Sequence, residues 1–509
     1  MVGYLRRFYS TSIHLSREEL EFSDYLQGLK NEYQYKDIND QSIILVPLTN
    51  HVGTMRIILK LAYKLALEKE LNIRFFYVHA AVDTKIERSN ILSFKLQQFQ
   101  LHNKFLIKKL CRIYGIKSAH LIISNFTNVS YKPTVHPKFK SKKEVLEFFY
   151  GGIRVGELIY DTYLRFRSRC TVDLSDPCLY DIVEYSKIMI EMWKKELDKY
   201  SIKTLLLPYV AYHHWGIPAY ICLNKRIEVL TYGSNSYVLS ALSIEHPYHS
   251  KNFHRYRELF KTIRNPTDKK QLAEEILNKR LGGQIDLGTS YMKTSAFDAN
   301  DSERFSPGNH PWCVIFLHCF FDSPHIYGES LFLDFYEWLN HILNKAKELP
   351  LQNFYIKEHP NALPENKPIV SLIKEKYRVY TNIIFLSAEV SNKKIIEEKP
   401  AAIFTVYGTV AHEFASLGIP VVVAGQNPQS DYGFIHKPTT IEEYDHYLIN
   451  FPTIGLPESY NKEEIYEFFY MHYLYYSQKY DATNFSIKLD VYIGIINLPK
   501  AIPYQDLIF

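Results

Sequence analysis

In Val406-Tyr407-Gly408-Thr409-Val410-Ala411-His412-Glu413-Phe414-Ala415-Ser416-Leu417-Gly418-Ile419-Pro420-Val421-Val422-Val423-Ala424-Gly425 an apolar strand ends, Gly408 and Thr409 open a turn, and a short helix follows. Gly418-Ile419-Pro420 then stops the helix, so that the next strand begins at once. A strand, helix and strand at this spacing form a unit with two parallel strands. The first turn of such a helix has backbone N–H groups without intrahelical partners and the positive end of the helix dipole, which together suit a phosphate. Gly408 and Thr409 are therefore candidate phosphate contacts, and Glu413, one turn into the helix, a candidate for a ribose hydroxyl. The same residues also suit a plain structural unit in which Thr409 is the N-cap.

Working upstream, Tyr355-Ile356-Lys357-Glu358-His359-Pro360-Asn361 is a strand that runs into His-Pro. At the C-terminal end of a parallel strand the His359 imidazole can donate to a phosphate oxygen, Pro360 ends the strand and fixes its exit, and Lys357 adds charge. Strands are expected at 313–317, 353–357, 383–386, 402–406 and 421–424, with helices at 328–347 and 410–417. The loop after the first of these strands holds His318, Ser323, His325 and Tyr327, which could meet a phosphate or a sugar. A metal is the rival reading of so many histidines, but no His-x-x-x-His or Asp-x-Asp pattern lies there.

The first half repeats the alternation, with strands at 43–48, 73–78, 120–124, 205–210 and 227–232 separated by helical stretches. Two α/β parts, each a doubly wound parallel sheet, are therefore expected. Residues 282–311, rich in Gly, Ser, Asp, Asn and Pro, read as the linker between a Rossmann-like domain at 1–281, with helical insertions, and a second at 312–441. The aromatic-rich segment 442–509 reads as helical at its start and as packing back across the domains. Gly151-Gly152-Ile153-Arg154-Val155-Gly156-Glu157-Leu158-Ile159-Tyr160-Asp161 sets glycines beside carboxylates, and Glu157 and Asp161 share one face if the segment is helical. As solvated charges they would instead pair with Arg154 and Arg165. His51, in the loop after the first strand with Asn50 and Gly53, is a further candidate. Tyr212, His213, His214 and Trp215 form either a ligand-facing wall or a structural aromatic cluster.

Composition narrows the classes of function. Of 509 residues, 46% are hydrophobic and 23% charged, so the chain can bury substantial cores. Lys+Arg 60 against Asp+Glu 55 leaves +5, too scattered for nucleic acid. The six cysteines show no CxxC pair, which fits a reducing cytosol. Without an apolar leader or a membrane-length apolar stretch, the expectation is a cytoplasmic protein that meets the inner face of a membrane only peripherally.

Lys357-Glu358-His359-Pro360, together with Gly408-Thr409-Val410-Ala411-His412-Glu413 and Gly418-Ile419-Pro420-Val421, resembles the donor-binding half of bacterial capsule and surface-polysaccharide glycosyltransferases of the GT-B fold. The Kdo, sialic acid and polysialic acid transferases, which use CMP-activated sugars, are nearest in style. The resemblance implies two Rossmann-like domains facing a cleft, with the nucleotide phosphate on His359 and Thr409. It implies a nucleotide-sugar co-substrate, CMP-linked or UDP-linked, with no resident cofactor and no metal, and a glycan or glycolipid acceptor. The base then comes from the first domain, in the order Glu157, Asp161, His51. Gly-Thr stands where those relatives often show paired hydroxyl residues. Residues 408–423 also resemble UDP-N-acetylglucosamine 2-epimerases, and the His-Pro segment resembles teichoic-acid polymerases, which transfer a polyol phosphate. A non-catalytic glycan-binding protein is the remaining alternative.

Overall fold

The computed structural model describes residues 42–49, 52–77, 138–232, 240–247, 253–286, 294–298, 306–359 and 362–475, with the single positions 28, 111, 116 and 289. The expected strand at 120–124 and the site candidates His51 and Pro360 lie outside them.

The first half contributes β1 (Ile43–Pro47), β2 (Asn72–Phe76), a hairpin of β3 (Phe149–Tyr150) and β4 (Ile153–Arg154), then β5 (Ile202–Leu207), β6 (Glu228–Thr231) and β7 (Ser240–Ala241). The sheet order is β2-β1-β5-β6-β7, parallel except for β7, which closes one edge antiparallel to β6. Every residue of β1 is buried. Ile43 and Leu45 face helices Gly156–Arg167 and Pro177–Leu197, while Ile44 and Val46 face helix Val52–Glu68. A strand covered on both faces needs an unbroken apolar run, and IILVP supplies one. Gly151 and Gly152 turn the small hairpin with φ of 59° and 81°, a pair of left-handed positions that glycine occupies without steric cost.

The second half contributes β8 (Trp312–Phe316), β9 (Asn353–Lys357), β10 (Ile383–Leu386), β11 (Ala402–Thr405) and β12 (Val421–Val423), all parallel in the order β10-β9-β8-β11-β12. This is the Rossmann-like order, and both expected doubly wound sheets are present. Cys313 and Ile315 of β8 join a core that runs on into the first half, while Trp312, Val314 and Phe316 face a second core. Each such buried apolar side chain contributes about 1.5–3 kcal/mol.

The local readings differ from the structure in two places. The helix expected from residue 328 begins at Phe335, because the Asp334 carboxylate caps it by accepting from Glu337 N–H at 2.8 Å. The residues before it are spent on extended pairing: Leu331 N–H donates to Ala424 O at 3.0 Å and Gln426 N–H to Glu329 O at 2.7 Å. Helix Pro266–Leu281, counted with the first half by sequence, packs in the second core against helix Lys462–Phe469. Its Arg280 is almost wholly buried, held by the Asp286 carboxylate at 2.6 and 2.8 Å and by Glu413 at 3.5 Å, with the rings of Phe469 and Tyr473 over the guanidinium.

Gly156 opens helix Gly156–Arg167 where a Cβ would lie 2.2 Å from Val145 O and 2.3 Å from Leu146 O. Glycine is required here by the approach of the 145–146 backbone. Gly156→Ala is expected to lower stability by about 1–3 kcal/mol, read as a fall in the denaturation midpoint at unchanged m-value.

Candidate active site

In the order β10-β9-β8-β11-β12 the connections leave β8 and β11 in opposite directions, which makes the region beyond the carboxyl ends of these two strands the place where such a sheet is expected to form a ligand crevice. His318 follows β8 into it. The His318 Nε2 lies 3.1 Å from Thr405 Oγ1 and accepts from the N–H groups of Val406 and Tyr407 at 3.3 and 3.4 Å, so this nitrogen carries no proton. Its ring stacks on Phe335 and leans on Tyr407 at 4.6 Å. Burial, with His359 adding a smaller push, drives its pKa down to about 3. His318 is thus a neutral brace that ties the end of β8 to the end of β11.

At the end of β9 stand Lys357 and the half-buried His359. Lys357 is buried and donates to Ala388 O at 3.2 Å. Burial first, and then the Lys357 charge, lower the His359 pKa to about 4. A neutral imidazole here can donate one hydrogen bond without opposing charge. Beyond β11, Gly408 has no room to spare: a Cβ would meet Thr405 Oγ1 at 3.0 Å and the Val410 side chain at 3.2 Å. Thr409 caps helix Val410–Ala415 by backbone position without a side-chain cap bond, and its side chain bonds the Glu413 carboxylate. Glu413 is buried and turned toward Arg280. Burial raises its pKa, and Arg280 and Thr409 oppose the rise.

The second group of candidates meets where the two halves touch. Helix Gly156–Arg167 carries Glu157 and Asp161 one turn apart on one face. The Asp161 Oδ1 lies 2.5 Å from His325 Nδ1, and Oδ2 accepts from the His325 backbone N–H at 3.4 Å. On the other side of the ring His325 Nε2 sits 3.0 Å from Leu333 O. A carbonyl only accepts, so Nε2 carries a proton, and Nδ1 faces a carboxylate. Burial pushes this imidazole toward neutrality, but the charge and hydrogen bond of Asp161, helped by Glu157 and Asp334, outweigh it and raise the pKa above the ordinary histidine value. Next to this pair the Tyr160 hydroxyl donates to Asp334 Oδ2 at 2.5 Å, the same carboxylate that caps the helix at 335.

Glu157, Asp161 and His325 line one small pocket with Leu158, Val210, Ala211, Tyr220 and Ile326. The Glu157 carboxylate is 2.7 Å from Arg154. Burial raises its pKa, with Arg154 and then His325 holding it back. Ser323 is buried with φ 46°, and its hydroxyl bonds Tyr212, itself at φ 65° and stacked on His214. Tyr212 and His214 are thus part of a packed contact between the halves. One residue was missed by sequence reasoning. Asp322 keeps access to solvent, while the crowding of its cleft raises its pKa, Arg165 opposing and Asp161 adding to the effect. Asp322-Ser323-Pro324 reads only as a turn, and no spacing marks the carboxylate.

Tyr407 connects the two groups. Its ring meets His318, Tyr327 and Phe335, and its hydroxyl donates to Asp322 O at 3.2 Å. Tyr407 thus links the end of β11 to the loop that carries Asp322 and His325. Among the described residues no group of three or more His, Cys, Asp or Glu side chains is arranged to hold a metal ion.

No protein-family model matches the chain, and no curated protein matches it. Among solved structures, KpsC of Thermosulfurimonas dismutans, a beta Kdo 2,4 transferase, aligns with 54% of this chain and 81% of its own at 12% identity, with a TM-score of 0.35. A UDP-GlcNAc 2-epimerase from Neisseria meningitidis aligns with 86% of this chain and 100% of its own at 12% identity, TM-score 0.24. A glycosyltransferase from Rickettsia africae aligns with 89% and 99% at 10% identity, TM-score 0.29. The fold assignment rests on the strand order of the two sheets themselves.

The raised pKa of His325 gives the Asp161 contact a pH signature. Its contribution to stability is complete below the ordinary histidine value of about 6.5 and fades as pH rises through the higher folded-state value. Asp161→Asn leaves a buried imidazolium unpaired, which costs about 3–5 kcal/mol. The gap in Tm between parent and variant is expected to be widest in mildly acidic buffer and to narrow toward alkaline pH. A gap independent of pH would mean that the imidazole is not charged in the folded protein.

Proposed function

We propose that the chain is a glycosyltransferase that moves a sugar from a nucleotide-activated donor to a bacterial surface-glycan acceptor. The observation that carries the reading is one of placement. The neutral His359 and the N-terminus of helix Val410–Ala415 stand at strand ends on either side of β8, and Tyr407 beside them reaches the loop whose His325 lines one pocket with the partly buried Glu157. The motif resemblance around Lys357-Glu358-His359 and Gly408-Thr409 supports the same reading and favours a CMP-linked ulosonic acid, with a UDP-sugar as the other donor class.

In this reading the donor phosphate lies against His359 and Thr409, with Lys357 behind. An acceptor hydroxyl attacks the anomeric carbon, the bond from that carbon to the phosphate oxygen breaks, and the hydroxyl proton passes to Glu157. A carboxylate whose pKa is raised by burial is a better base near neutrality than an exposed one. Asp161, engaged with His325, positions the helix that presents Glu157. The departing charge is met by the helix N-terminus, His359 and Lys357, so the proposal includes no divalent cation and no resident cofactor. The setting is the cytoplasm, and among the described residues no helix is long and apolar enough to cross a membrane.

Nucleotide binding is expected to raise Tm in a panel of CMP, UDP and CDP-glycerol, with CMP the largest shift. A UDP-only response would favour the UDP-sugar or epimerase alternatives, CDP-glycerol the polyol-phosphate one, and no response a non-catalytic protein. His359→Ala is expected to weaken nucleotide binding with little change in Tm of the free protein. Because a bound phosphate favours the imidazolium, parental affinity should also rise as pH falls toward 5, and this slope should vanish in the variant. Glu157→Gln is expected to lower turnover about a hundredfold or more while donor binding persists. Near-parental turnover would move the base to Asp161 or His51.

A further inference from the structure

At the amino-terminal edge of the second sheet, opposite the crevice, three large aliphatic side chains stand in solvent. Leu351, Leu372 and Val379 are 70%, 73% and 71% exposed. Leu372 lies on helix Asn366–Tyr377, and Val379 in the turn that follows it. The turn that carries Leu351 adjoins this segment, because the Asn382 side-chain amide donates to the carbonyls of Ala346, Leu349 and Gln352. Cations surround the three. Lys376 and Lys347 both hold their ammonium groups over the Tyr377 ring, at 5.1 and 5.8 Å, and Lys347 also reaches Tyr380 at 5.9 Å. Over residues 344–352 and 366–381 the sequence has six Lys or Arg against two Glu, with Lys345 paired to Asp445 and Arg378 to Glu375.

We infer that this face docks on an anionic phospholipid bilayer. The composition selects the partner. Protein interfaces are depleted in lysine and anchored by buried aromatic or arginine side chains. Here the exposed groups are aliphatic tips among lysines, with tyrosine rings beneath, the mixture that suits a headgroup boundary: apolar tips enter the acyl region and ammonium groups meet lipid phosphates. Three tips alone give marginal attachment, and each lysine adds about fivefold to partitioning on an anionic surface. Docking by this edge leaves the carboxyl ends of β8, β9 and β11 open to ligands. Such a contact would serve the protein whichever donor it binds.

The test is co-sedimentation of the full chain with vesicles of phosphatidylcholine alone or of three parts phosphatidylcholine to one part phosphatidylglycerol. Binding is expected to the anionic vesicles and to weaken as salt rises. The double variant Leu372→Glu/Val379→Glu is expected to bind about tenfold more weakly or worse, and Lys347→Glu/Lys376→Glu about twentyfold, with Tm and nucleotide-induced stabilisation as in the parent. Three results overturn the proposal: no binding by the parent, equal binding by parent and variants, or a parent that self-associates through this face, seen by light scattering as a mass that falls to the monomer in the variants. Any of them leaves the nucleotide experiments untouched.

Discussion

A carboxylate on a helix of the first half and an imidazole in a loop of the second meet at 2.5 Å in a buried setting. Two charges removed from water are costly unless each finds full compensation, and here the compensation is specific: the ring is bonded at both nitrogens, and both oxygens of the carboxylate are engaged. The consequence spreads along both elements. Fixing His325 fixes the loop from 318 to 334. Asp334 then receives the Tyr160 hydroxyl and caps the next helix, and Asp322 and Ser323 are set against Arg165 and Tyr212. On the other side, fixing Asp161 fixes the face of the helix on which Glu157 lies.

Within this frame three histidines of one region hold different electrical states for stated reasons. His318 and His359 are neutral, driven down by burial and by neighbouring positive or potentially positive groups. His325, also buried, is pushed the other way because a carboxylate faces it. One side chain type thus supplies a brace, a hydrogen-bond donor and a base that holds its proton more tightly than usual, and only the neighbours decide which.

Much of the architecture was legible because it is written in local pattern. The largely apolar runs of β1, β8, β11 and β12 are buried throughout, as strands covered on both faces require. Gly418-Ile419-Pro420 marked the end of a helix through backbone chemistry alone, and the spacing of Glu157 and Asp161 placed them on one helix face. Other features are decided at long range. No window of sequence contains both Asp161 and His325, or both Arg280 and Glu413, so their pairing had no local signal. The late start of the helix at Phe335 follows from pairing between residues 329–331 and 424–426, which propensity cannot register. Asp322 looked like turn chemistry because its meaning depends on Arg165 and Tyr407, supplied by distant segments.

The Arg280 clamp bears on the order in which the chain can fold as it leaves the ribosome. The first sheet has its strands once β7 has emerged, and the core on the side of helix Val52–Glu68 can close early. The second cannot. Its guanidinium, already synthesised, waits for Glu413 and then for the rings of Phe469 and Tyr473, which arrive nearly two hundred residues later. Through that interval an arginine destined for the interior remains in water, and the crevice at β8 and β11 has its strands without the layer that backs helix Val410–Ala415. The second sheet is thus the last to become rigid, and the core that the two halves share closes only with it.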